Sequence, residues 1–133
     1  MKAKDLIPSV SGVHLAFLFD SEEVCFSVYL YNAKEEIMEG IIVTSVGYEK
    51  EDNPAETTKT ATLRHSLEVL LPGEYAKVEN LMPEVFPLYN EFWVSFWIED
   101  ILYDKKFLFL PDSVIIEKLT LLPTFNKKGI LLT

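Results

Sequence analysis

The 133-residue sequence predicts an all-β protein: a single antiparallel β-sandwich of about eight to nine strands, immunoglobulin-like in general architecture. Three observations lead there. Apolar residues recur at every second position in stretch after stretch, the period of a half-buried strand. Clusters of Pro, Gly, Asn and Asp interrupt those stretches at the short intervals of all-β domains. No amphipathic stretch of helical period and no Gly-rich βα turn appears.

The elements follow in order. After an N-terminal arm over 1–11, Val13, Leu15, Phe17 and Phe19 alternate as a first strand. Asp20 to Glu23 is a polar turn. Val24, Phe26, Val28 and Leu30 form one face of a second strand, with Cys25, Ser27, Tyr29 and Tyr31 on the other; Asn32 to Glu36 closes it. A third strand covers Ile37 to Val46, where Gly40 marks a bulge or a close backbone approach. Residues 49–57, EKEDNPAET, read as an acidic loop broken by Asn53-Pro54, and Thr58 to Leu63 as an exposed strand. Leu67, Val69 and Leu71 run to a Pro72-Gly73 turn, and Tyr75 to Leu81 resumes.

Pro83 and Pro87 exclude a long helix between Met82 and Glu91 and leave room for one helical turn. Residues 92–110 read as a long hairpin: FWVSFWIEDILY enters, Asp104-Lys105-Lys106 turns, and Phe107 to Leu110 returns. A strand over Val114 to Leu122 ends at Pro123, and the tail over 123–133 holds a polar turn and the apolar piece Ile130 to Leu132.

The hairpin carries the most informative pattern. Phe92, Val94, Phe96 and Ile98 share one face of a strand; Trp93, Ser95, Trp97 and Glu99 share the other. The first set suits the inside of a sandwich. Two tryptophans on the opposite face need a cover, since exposed paired Trp costs solubility. The cover is either the chain itself, through Met82 to Asn90 or the C-terminal tail, or another chain.

Composition narrows the function classes. The 49% hydrophobic and 13% aromatic content belongs to a folded globule. With 21 acidic against 12 basic residues the net charge is −9, which repels nucleic-acid phosphates and anionic membranes. Cys25 is the only cysteine, so no internal disulfide forms, and a cytoplasmic location is expected. The opening residues lack the pattern of a cleaved leader and read as mature protein, and no apolar run is long enough for a membrane-spanning helix.

Catalytic and metal signatures are not found. His14 and His65 lack partners at ligand spacing, and Cys25 lies within a strand with no Gly-rich elbow beside it. The acidic pairs Glu22-Glu23 and Glu35-Glu36 lack the alternation of a calcium loop, and phosphate-binding glycine patterns are missing. No cofactor is called for. The aromatic residues Tyr29, Tyr31, Trp93 and Trp97 are the candidate interaction residues, as a protein interface or, alternatively, as a carbohydrate- or small-ligand-stacking platform.

Three stretches, SVYLYNAKEE, LEVLLPGEYAKVENL and WVSFWIEDILYDKKFLFLPDSVIIEKLTLLPTF, give residues 10–126 a pattern that resembles the β-sandwich domain associated with Smr domains in Bacteroidetes Smr/MutS2-like proteins. The resemblance implies a bacterial intracellular interaction or assembly module. It does not imply nuclease activity: Smr domains carry a His-Gly-x-Gly type motif, and neither His14 nor His65 is followed by Gly. The expectation is a non-enzymatic module that self-associates or docks a protein partner through an aromatic sheet face or an edge strand.

Overall fold

The computed structural model describes residues 10–49, 60–111 and 114–133. Nine strands form: β1 (Val13–Asp20), β2 (Cys25–Asn32), β3 (Met38–Tyr48), β4 (Leu63–Leu70), β5 (Tyr75–Leu81), β6 (Tyr89–Ile98), β7 (Ile101–Phe109), β8 (Thr120–Leu122) and β9 (Lys127–Leu132). They make two antiparallel sheets, β5-β2-β1-β9-β8 (sheet A) and β4-β3-β6-β7 (sheet B). This is the β-sandwich that the alternating pattern predicts.

The alternation works as read. Val13, Leu15 and Phe17 of β1 and Phe26, Val28 and Leu30 of β2 are fully buried, and so are Phe92, Val94 and Phe96 of β6. Phenylalanines join the two layers: Phe17 of sheet A lies 4.3 Å from Phe109 and 5.5 Å from Phe92 of sheet B, centroid to centroid. Burying each such ring stabilises the fold by about 1.5–3 kcal/mol, and edge-to-face contacts such as Phe17–Phe92 add to that.

Polar fasteners close the strand ends. Asn32 is fully buried, and its Nδ2 donates to the carbonyls of Glu36 and Leu70, both at 2.9 Å. Its Oδ1 accepts from the Lys34 amide, so the side chain ties sheet A to the end of β4 with its hydrogen-bonding capacity used. Gly40 has φ 54°, and the β3–β6 register shifts between Glu39 and Ile42, so the bulge expected there is present.

Several boundaries differ from the sequence reading. The hairpin of β6 and β7 turns at Glu99-Asp100, with Ile98 opposite Ile101 and Glu99 at φ 55°; Asp104-Lys105-Lys106 lies inside β7. The charges mislead because β7 is an edge strand: Asp104 and Lys106 point to solvent while Lys105 turns inward, its Nζ 3.3 Å from the Val13 carbonyl. Val24 belongs to the β1–β2 turn, exposed at φ 51°, rather than to the inner face of β2. Of the strand expected over Val114 to Leu122 only Thr120–Leu122 pairs as a strand, preceded by a 3-10 turn at Ile116–Lys118. The single helical turn allowed between the prolines is a 3-10 turn at Pro83–Val85. The acidic loop over 49–57 and the arm over 1–11 fall largely outside the described residues; β4 begins at Leu63, and 60–62 are not strand.

Candidate interaction surface

β6 is a central strand of sheet B, flanked by β3 and β7. Because Phe92, Val94, Phe96 and Ile98 are drawn into the core, strict alternation drives Trp93 and Trp97 outward. They are 46% and 42% exposed. Along the strand they stand about 13 Å apart, with Ser95 between them.

Each tryptophan has a distinct setting. Trp93 lies between Thr44 of β3 and Lys106 of β7. The Lys106 ammonium sits 5.6 Å from its ring centroid and 2.9 Å from Glu91 Oε1. The hydrogen bond that Lys106 donates to Glu91, then the charge of that carboxylate, hold the ammonium above the ordinary lysine range. Trp97 lies between Glu39 and Leu102, and its indole rests on the backbone of Gly40: a Cβ added there would stand 3.2 Å from Trp97 Cδ1. Val69 and Leu102 extend this apolar row across the sheet, both exposed. Neither expected intramolecular cover reaches the tryptophans. The Met82 to Asn90 segment caps the end of the core instead, with Phe86 5.4 Å from Phe26. The C-terminal tail becomes β9 and pairs with β1 in sheet A.

Tyr29 and Tyr31 stand elsewhere. They face outward from β2 on sheet A, the opposite layer. Phe125, from the β8–β9 turn, lies 6.1 Å from Tyr29 and 5.8 Å from Tyr31, and Tyr75 packs 4.5 Å from Phe125. Phe125 is buried there with Ala16 and Leu18, forming a second, smaller apolar cluster. The four aromatics expected as one platform are therefore split: two lie under the chain's own hairpin, and two stand bare on the other side. Alternation tells which residues leave the core, but not into which sheet their strand goes.

The sequence reading missed a polar cluster at the open side of the sandwich, where the edges of β4 and β5 face each other. Glu79 Oε1 accepts from Ser45 Oγ at 2.7 Å and lies 3.0 Å from His65 Nε2. The β2–β5 register shift between Val28 and Tyr29 lets consecutive residues Val78 and Glu79 both turn inward, which period-two reading does not show. Ser45 and Glu79 rim a cleft of about 270 Å³ lined also by Gly47, Leu63, Met82 and Asn90 among others. The order of groups is not that of a nucleophilic triad. There an imidazole stands between hydroxyl and carboxylate, whereas here the carboxylate stands between hydroxyl and imidazole, so Ser45 gains no base of that kind.

The other reactive side chains are quiet. Cys25 is buried, and burial first, then the carboxylates of Glu23 and Asp20, push its thiol up and away from the nucleophilic thiolate. His14 faces outward beside Tyr31, at 5.9 Å, with its Nδ1 buried and unpaired among the described residues. Among the described residues no three of His, Cys, Asp and Glu converge as metal ligands, and no helix is long and apolar enough to cross a membrane. In comparisons with known proteins, no family model and no curated sequence matches the chain.

Proposed function

We propose that this chain is a non-catalytic docking module whose outer sheet-B face, centred on Trp93 and Trp97, takes the surface of a protein partner. The exposure of both indoles on an ordered central strand carries the reading. Tryptophan is enriched among the residues that dominate protein interfaces, and a half-exposed indole on a rigid sheet loses little entropy when covered. The flanking Lys106–Glu91 pair and Glu39 supply a polar rim around the two rings. The resemblance of residues 10–126 to the Smr-associated sandwich supports the same class, an assembly module in a bacterial cell.

The test is crosslinking of the tagged chain in its native cells, compared with a Trp93→Ala/Trp97→Ala variant. A protein captured by the natural chain and lost from the variant, with thermal unfolding little changed, supports the reading; identical captured sets overturn it. The hydrogen-bonding Ser95 between the two rings, with Asp104 opposite it, also suits a sugar chain stacked along β6. Tryptophan fluorescence titrated with a glycan panel separates the two: a saturable response at millimolar glycan replaces the protein partner with a carbohydrate.

A further inference from the structure

Among the described residues four edges bound the two sheets: β5 and β8 in sheet A, β4 and β7 in sheet B. Exposed edges invite pairing with other chains, and folded proteins blunt them with bulges, short strands or inward-pointing charges. Three of these edges carry such a device. β5 is paired through a register shift, β8 has three residues, and β7 turns Lys105 inward onto the carbonyls of Val10 and Val13. β4 is eight residues long and keeps an unbroken register with β3 from Ile41 to Ser45, and its residues are mostly exposed.

The direction of its free backbone groups follows from the ladder. Gly47 of β3 takes the Thr60 amide on its carbonyl at 2.8 Å, so the odd residues of β3 bond toward the β4 side. Their partners across the ladder, Leu63 opposite Ser45 and His65 opposite Val43, bond back to β3. Arg64 and Ser66 therefore turn their N–H and C=O groups outward, and their side chains and that of Glu68 are exposed.

We propose that the occupant of this edge is a second copy of the chain, paired antiparallel through β4 about a two-fold axis at Ser66; the inference goes beyond the Trp-face reading and needs no partner on that face. In this register Ser66 meets itself, and Arg64 of each copy meets Glu68 of the other, two opposite-charge cross-strand pairs from one self-complementary strand. Arg64 is the only arginine in a chain of net charge −9, and it lies on this edge. Arginine is the cation best matched to a carboxylate across an interface. The same construction fails on β7: aligning Asp104 with the second copy's Lys106 sets Lys105 against Lys105, like charges directly opposite. Pairing through β4 joins both B sheets into one eight-strand sheet, twice the four strands of each.

Sedimentation equilibrium of the natural chain and three variants tests this. The expected result is a species of twice the 15.3 kDa chain mass. Arg64→Glu and Glu68→Arg should each weaken it by about tenfold or more, a loss of roughly 1.4 kcal/mol. The double variant R64E/E68R should recover it, because the exchanged charges still face each other across the two-fold. Both residues are exposed, so circular dichroism should be unchanged. A natural chain that stays monomeric overturns the proposal, as does a dimer indifferent to both single reversals or one that the double variant fails to restore. The Trp93→Ala/Trp97→Ala variant should dimerise like the natural chain. If it alone abolishes the dimer, the second copy sits on the Trp face, and the edge proposal fails while the docking reading stands.

Discussion

The two outer faces of the sandwich began from the same kind of sequence and ended differently. β2 sends Tyr29 and Tyr31 outward from sheet A; β6 sends Trp93 and Trp97 outward from sheet B. On sheet A the β8–β9 hairpin folds back and drops Phe125 onto the tyrosines, with Tyr75 closing the side. On sheet B no described segment does this, and the larger, costlier rings stay in water. An aromatic face is thus structural when the chain supplies its own lid, and available for binding when it does not.

That contrast can be broken most directly at its lid. Phe125→Ala removes a buried ring that packs on three aromatic neighbours, and should destabilise the fold by about 3–5 kcal/mol, the range for buried phenylalanine truncation. Trp93→Ala and Trp97→Ala should each cost under about 1 kcal/mol in the same urea titration, because surface truncations generally do. Equal losses on the two faces would show that the Trp face is structural too.

A smaller effect sharpens the same contrast on the Trp side. Gly40 holds a left-handed φ of 54° and lies under the Trp97 indole. Gly40→Ala should cost about 1–2 kcal/mol from the backbone conformation, and the added methyl should lift the indole. Acrylamide quenching of Trp97, read in a Trp93→Phe background, should rise. Unchanged quenching would mean that the bulge does not seat the ring.

Alternation made the inner and outer sets of β1 and β6 readable, because it is enforced wherever one face is buried. Phe92 to Ile98 and Val13 to Phe17 are sorted correctly on that ground alone. Three features were hidden for physical reasons. Dense charge points to a turn at Asp104-Lys105-Lys106, but that segment is charged because it lies on an edge, while Glu99-Asp100 is short enough to look like strand. The bulge that turns Val78 and Glu79 the same way breaks the periodicity used to read them, so the Ser45–Glu79–His65 cluster had no signature. Whether Tyr29 and Trp93 share a face depends on sheet membership, which is a matter of long-range pairing rather than local pattern.

The covered face should also respond to mild acid where the bare face does not, the smallest of these effects. His14 faces outward on sheet A beside Tyr31, and its buried Nδ1 has no hydrogen-bond partner among the described residues. Burial first, then the Lys105 charge, lower its pKa from the ordinary 6.5. The folded chain therefore resists protonation that the unfolded chain accepts. Below the unfolded value the unfolded state binds more protons, so stability falls as pH drops from about 7 toward 5.5, above the range where ordinary carboxylates titrate. His14→Gln keeps a polar, neutral group there and should flatten that slope, whereas the Trp93→Ala/Trp97→Ala variant should retain it. A slope that persists in H14Q would assign the acid sensitivity to another group.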